Sequence, residues 1–428
     1  MPTTRRSFLG IGVSAAAAAA LSSCSSHADG GSSKGITLWT HNGGNKEELA
    51  VVQSAVNAFN KEHSESAVRI EAFPQAAYND AIAAAAVSGD LPDILDLDGP
   101  VMPNWAWAGY LAPLQLSSQL ESSIIASAKG YWNDKLYSVG PYDTSLCFLG
   151  RRSALEEIGA RTPSVAEPWT KEEFNDVLKE LGTLKQYEYA IDMSVADGAE
   201  WWPYAYAPML QSFGGDLIDR SDFSTAKGFL NSPEAVAWGT WFRSLFADGL
   251  SSQTPATDGQ DFLQGKVPMY YAGGWKVLQS QETFGTDEVL ILPPVDFGNG
   301  AHVGGGSWQW GVSATSKKLE AANKFIEFLM QDRYLVEYSN AIGNFPSVES
   351  ATPMTKNYRD GGPLSPVREI GESFALLRPA TPGYKVISSI FDKAARDIVS
   401  GSGVKSTLDQ AADDIDFDIK SNDGYKAA

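Results

Sequence analysis

The residues best placed to do chemistry in this chain are aromatic and acidic. Tryptophan stands beside glycine, proline or polar residues in Asn104-Trp105-Ala106-Trp107, Glu200-Trp201-Trp202-Pro203, Gly273-Gly274-Trp275 and Gly306-Ser307-Trp308-Gln309-Trp310. A pyranose ring has one apolar C–H face and an edge of hydroxyls. Flat indoles cover such a face, while carboxylate and amide side chains take hydroxyls in pairs. Tryptophan outside regular apolar patterns, with acids nearby, is therefore what a sugar site needs. Trp238 and Trp241 fall in a helical pattern and are expected in the core, where tryptophan is found on average. Trp275 and Trp308 each follow a glycine-containing turn and are expected to meet a ligand.

Other chemistry finds less support. Asp96 and Asp98 lie two apart in a strand pattern and share a face. Such a pair could serve a glycosidase. The simpler reading is a strand-end pair in which one acid binds a polar ligand and the other is solvated or capped. The chain has 4 histidines, and His41, His63 and His302 show no metal-type spacing. The G-x-S-x-G match at Gly31–Gly35 falls in the Ser/Gly stretch and not on a strand-to-helix turn, so it is no nucleophile elbow, and Gly304-Gly305-Gly306 is no P-loop because it lacks the following Lys-Ser/Thr. No cofactor or metal is called for.

The elements that must position these residues read clearly at the start of the chain. Ile36-Thr37-Leu38-Trp39 predicts a strand. Leu49, Val52, Val56 and Phe59 mark the apolar stripe of a helix over 45–63. Val68 to Phe73 alternates as a strand, 78–88 is an Ala-rich helix closed by Gly89, and 93–98 is a third strand. Strand–helix–strand–helix–strand implies parallel strands with helices packed on them, and ligands then bind at the carboxyl ends of the strands. That points to His41–Gly44 and to Asp98–Trp107. Further on, Thr170-Lys171-Glu172-Glu173 is a capping box opening a helix to Leu181. Helices are predicted over 234–246, 319–331 and 386–399, and an amphipathic stretch over 408–419.

The net charge of −19 disfavours phosphate backbones, so nucleic-acid binding is not expected. At the N-terminus, Arg5-Arg6-Ser7-Phe8-Leu9 followed by a short apolar run to Leu21 resembles a twin-arginine export signal. Leu21-Ser22-Ser23-Cys24 resembles the lipobox of bacterial lipoproteins, with Cys24 as the lipidated residue and 24–35 as a Ser/Gly tether. An extracytoplasmic, membrane-anchored protein is expected. Cys147, the other cysteine, lies in an apolar run and is expected to be a small buried hydrophobe.

Later segments resemble, in order, the motifs of the bacterial extracellular solute-binding proteins of family 1, the lipoprotein receptors of carbohydrate ABC importers. These are Trp169–Phe174, Phe262–Met269 with Gly273-Gly274-Trp275, Gly304–Val312 with Ser316-Lys317 and the helix to Leu329, Gly343-Asn344-Phe345-Pro346, and Arg378–Tyr384. The resemblance implies an α/β, two-lobe, periplasmic-binding-protein-like fold of type II, with a three-crossover hinge and a ligand cleft between the lobes. It implies crossings near Asp143, His302 and Ser339, giving one lobe from 36–143 plus 302–338 and another from 144–301 plus 339–420. It implies a monomer that closes on a mono- or oligosaccharide and delivers it to permease subunits. The expected ligand residues are Asn42, Asp98, Trp105, Tyr142, Asp143, Trp201, Trp275, Trp308 and Arg378. The alternatives are a receptor for a non-sugar solute such as a glycerophosphodiester, which would want more Arg or Lys in the cleft, and a secreted glycoside hydrolase or lyase.

Overall fold

The structure is a computed structural model that describes residues 35–198 and 200–426. The export signal, Cys24 and nearly all of the tether lie outside the described residues.

The first sheet is built as the alternating pattern predicts. Strand Ile36–Thr40 pairs in parallel with Val68–Ala72 on one side and Ile94–Asp98 on the other. Helices Lys46–Glu62 and Gln75–Ser88 make the crossovers. Asn45 caps the first of these by accepting from the Glu48 N–H, and Gly89, at φ 80°, ends the second in the left-handed conformation that favours glycine. Strand Trp308–Ser313 returns much later and inserts antiparallel beside Ile94–Asp98, with Trp308 opposite Asp98 and Trp310 opposite Asp96. Lys135–Val139 and Lys129–Trp132 complete this sheet. Its core includes Val52, Val56 and Phe59, with Phe325 and Leu329 from the helix Leu319–Leu329.

A second, four-stranded sheet runs Val289–Leu292, Leu146–Arg151, Met269–Gly273, Ile191–Asp192. It has its own aromatic-rich core, including Trp202, Tyr206, Trp238 and Phe242. Trp238 and Trp241 are both buried there, as the helical pattern implies. Cys147 is fully buried in the central strand, where burial pushes its thiol up to about 12. The capping box at Thr170–Glu173 is formed and starts helix Lys171–Leu181.

The molecule is thus two α/β lobes. Short two-stranded ladders join them: Tyr142–Asp143 with Phe345–Pro346, and Val303–Gly304 with Ala375–Leu376. Ser339 lies inside helix Asp332–Ile342, whose Tyr334, Leu335 and Tyr338 pack into the first lobe's core, as do Val348 and Ala351 beyond it. Phe345 and Tyr358 belong to the second lobe's core, so the third passage between lobes spans about 343–358.

Candidate functional site

A cleft of about 1100 Å³ opens where the two lobes and the hinge ladders meet. The first lobe presents the carboxyl ends of strands Ile36–Thr40 and Ile94–Asp98. His41 follows directly on the first strand, and its Nδ1 lies 2.6 Å from Asp96 Oδ2, which also accepts from Thr40 Oγ1 at 2.8 Å. His41 Nε2 is 4.0 Å from Glu48, whose Oε1 accepts from the Tyr142 hydroxyl at 2.9 Å and whose Oε2 accepts from the Asn45 amide at 3.0 Å. Burial opposes charge on the imidazole, but Asp96 and then Glu48 outweigh it and raise the His41 pKa. Burial raises the pKa of Glu48 against the pull of His41. The His41 ring stacks on Trp308, with centroids 3.6 Å apart and planes at 12°.

The floor is held by Arg378. Its guanidinium donates bidentately to Asp98, 2.9 Å on each oxygen, and also to Glu200 at 3.2 Å. Burial works against this cation, yet Asp98 and Glu200 raise its pKa and it stays charged. Glu200 accepts as well from the Tyr384 hydroxyl, at 2.6 Å, and from Ser388 Oγ. One buried arginine therefore ties an acid of the first lobe to an acid of the second. Gly306 turns the chain beside it at φ 120°, and its N–H donates to Asp143.

The second lobe contributes Trp201, Tyr204 and Trp275. Trp201 and Tyr204 stand on helix Trp201–Ser212, which is buried from Trp202 to its end. Trp275 folds back over Gly273: a Cβ at Gly273 would lie 2.0 Å from the indole. That close approach is what the glycine in Gly273-Gly274-Trp275 permits.

Of the expected ligand residues, the cleft brings together Asp98, Tyr142, Trp201, Trp275, Trp308 and Arg378. Three stand elsewhere. Trp105 is buried among Tyr78, Leu95 and Leu97, on a short helix, Met102–Trp107, rather than in a loop. Asn42 is turned inward and buried beside the cleft, with neither amide atom hydrogen-bonded among the described residues. Asp143 is buried and committed to the hinge, accepting from Ser127 Oγ and from the N–H groups of Thr144 and Gly306. Asp98 reaches the cleft, but its carboxylate is occupied by Arg378.

Sequence reasoning missed His41, Glu48, Glu200, Tyr204 and Asn344, all of which line the cleft. The strand-end rule did point to the loop holding His41. For Glu200, adjacency to Trp201 was the available signal. Thr144 Oγ1, Tyr204 OH, Ser307 Oγ and Asn344 Oδ1 are lining-residue atoms that are buried without a protein partner among the described residues. Buried polar atoms seldom go unpaired, and each costs about 1–3 kcal/mol if it does. The cleft thus combines indole faces with spare hydrogen-bonding capacity. A smaller pocket of about 100 Å³ behind it, near Met102 and Leu377, shares Arg378 and Ser307 but lacks these aromatic walls.

Comparison with known proteins agrees with this architecture. Residues 54–361 match the model of a bacterial extracellular solute-binding protein family. The chain is 22% identical over 348 residues to the multiple sugar-binding protein of Streptococcus mutans, covering 76% of this chain and 77% of that one. It is 22% identical over 365 residues to the diacetylchitobiose binding protein of Streptomyces coelicolor, covering 82% of each. Among solved structures, the maltose/maltodextrin-binding domain from Bdellovibrio bacteriovorus bound to maltotriose superposes with a TM-score of 0.75 at 18% identity, over 90% of this chain and 100% of that one.

Proposed function

Since this chain belongs to the bacterial extracellular solute-binding protein family, we propose that it is the carbohydrate-capturing component of an ABC importer. It takes a mono- or oligosaccharide into the cleft and hands it to permease subunits at the outer face of the membrane, where the lipid on Cys24 retains it. The observation that carries the reading is the pairing of Trp201, Trp275 and Trp308 with unpartnered polar groups in one cleft between lobes. Indoles cover the apolar faces of sugar rings, and hydroxyls satisfy the orphaned groups. The names of the two curated relatives, both sugar-binding proteins, point the same way.

Binding rather than turnover is supported by the state of the acid pair. Asp96 is committed to Thr40 and His41, and Asp98 to Arg378, so neither carboxyl is free to act as acid or base. A phosphodiester is disfavoured by the lining, in which Glu47, Glu48, Asp197 and Glu282 face a single arginine, itself paired twice.

The test is a melting-temperature and tryptophan-fluorescence screen against D-tagatose, maltotriose, diacetylchitobiose and other neutral sugars, with glycerophosphocholine as the phosphodiester. A saturable shift with one or more sugars and none with the phosphodiester is expected. A shift with glycerophosphocholine alone, or product formation from an oligosaccharide, would overturn the reading.

A further inference from the structure

We propose that His41 is a positioning residue: its ring, clamped between Asp96 and Glu48, fixes the plane of Trp308 against which the ligand stacks. The inference rests on the reading of Trp308 as a ligand platform. An indole has two faces. One face of Trp308 is covered by His41, at 3.6 Å and nearly parallel, while the residue also lines the cleft. A ligand ring stacked on Trp308 therefore lies over the other face, and His41 sets the angle from behind.

The clamp is three-dimensional. Asp96, on strand Ile94–Asp98, holds Nδ1 at 2.6 Å, and Glu48, on helix Lys46–Glu62, lies 4.0 Å from Nε2. Tyr78, on helix Gln75–Ser88, meets the His41 and Trp308 rings edge-on at 6.4 and 6.0 Å. Other groups act from further off. Asp98 adds to the negative field on the imidazole, Tyr142 reaches it through Glu48, and the Tyr338 phenol, on helix Asp332–Ile342, sits in the field of Glu48 and Asp96. The neighbouring cation, Arg378, is spent on Asp98 and Glu200. The imidazolium is then the counter-ion for Asp96 and Glu48, and a cation flat on an indole gains attraction from the ring. The carboxylates raise the His41 pKa despite burial, which favours the charged form of the ring. Raising the pH through that elevated titration removes the counter-ion, loosens the stack and weakens ligand binding.

Two measurements test this. An imidazolium in contact with indole quenches its emission. The emission of ligand-free protein minus that of Trp308→Phe is therefore followed against pH. A rise is expected as the pH passes the His41 titration, at higher pH than for free histidine. Asp96→Asn should move the midpoint down by about one unit or more, and His41→Gln should abolish the step. In parallel, affinity for the screening sugar that gives the largest shift is measured. His41→Gln is expected to weaken it about tenfold at pH 7, and His41→Phe, which keeps a flat ring behind the indole, to restore most of it without the pH dependence. A pH-independent Trp308 signal, a midpoint unmoved by Asp96→Asn, or wild-type affinity in His41→Gln would overturn the proposal. The emission arm uses ligand-free wild-type protein, so it decides the stack even if a histidine variant fails to fold. If no sugar binds, the carbohydrate reading falls, while the emission result still judges the clamp.

Discussion

Asp96 in the first lobe and Asp192 in the second are each buried in a sheet strand at 2% exposure, and the two lobes treat them differently. Asp96, in the first lobe, is matched by Thr40 and by the imidazole of His41. Asp192, in the second, accepts from the Ser194 N–H at 2.7 Å, but its Oδ2 has no partner among the described residues. The contrast extends to the walls. The first lobe's wall is a polar network whose members hold one another: His41, Glu48, Asn45, Tyr142. The second lobe's wall is aromatic and leans on its core, with Trp201 and Tyr204 at the start of a buried helix. A closed network presents a platform at a fixed angle, because moving one member breaks several hydrogen bonds. An aromatic wall supplies area and tolerates displacement. On the reading proposed above, orientation of a bound ring falls to the first lobe and coverage to the second. Arg378 is where the two meet.

Breaking that junction should have the largest effect. Arg378→Ala leaves Asp98 and Glu200 buried in the floor without their shared cation, and removing one partner of a buried ion pair typically costs about 3–5 kcal/mol. Denaturant unfolding should show a loss of that size. A loss below about 1 kcal/mol would mean that the two lobes are not coupled through the floor. The aspartate contrast predicts the next effect. Burial lifts Asp192 from 3.8 to about 7, and Asp261 and Asp197 add to it against the Ser194 N–H. The native state then binds a proton that the unfolded state releases. The stabilisation is complete below about pH 4 and is lost as the pH rises through about 7, at most about 4 kcal/mol in all. Asp192→Asn should flatten the fall in unfolding free energy between about pH 4 and 7. An unchanged slope would remove the contrast with Asp96.

The division of labour is sharpened at the ligand. Trp308→Ala removes the platform and Trp275→Ala removes coverage. Both should abolish detectable sugar binding in a screen limited to about hundredfold weakening, with the unfolding transition retained. Normal binding by both variants would overturn the assignment of the cleft. Trp308→Phe and Trp275→Phe separate the roles, the former being expected to lose more because the Trp308 plane is set from behind.

Local pattern carried most of the fold. The stripe from Leu49 to Phe59, the alternation in 68–73, Gly89 and the Thr170 capping box each encode structure within a few residues, and each element formed. The aromatic signal carried part of the site. It failed at Trp105 because Trp105 and Trp107 look alike in sequence, yet a short helix turns the first into the Tyr78–Leu97 core and the second outward. It set Glu200-Trp201-Trp202-Pro203 outside regular apolar patterns, whereas Trp201 opens a helix that is buried from Trp202 to its end. In the first turn, where Pro203 sits, proline is tolerated. The polar network was hidden for another reason. His41 meets Asp96 across 55 residues, and Arg378 meets Asp98 across 280. No local spacing records such pairs. Asn42 and Asp143 show the converse, polar residues in the expected places whose side chains the fold uses inward or at the hinge.

The smallest effect is expected where the lobes touch away from both walls. Trp107, on the first lobe, meets Tyr425 edge-on at 5.2 Å and donates its Nε1–H to the Lys426 carbonyl at 3.0 Å, while the Asn104 amide donates to the Pro382 carbonyl at 2.8 Å. The indole is 37% exposed, so much of its surface stays wet whether or not the contact forms. Trp107→Ala should lower the unfolding free energy by about 1 kcal/mol, the sum expected for one edge contact and one solvent-reachable hydrogen bond. If the contact favours one arrangement of the lobes, apparent affinity scales with the fraction of molecules in the binding-competent arrangement. A bias of that size shifts affinity by less than about tenfold in either direction. A hundredfold loss would place Trp107 in the ligand site itself, and the separation between platform, coverage and peripheral contact would no longer hold.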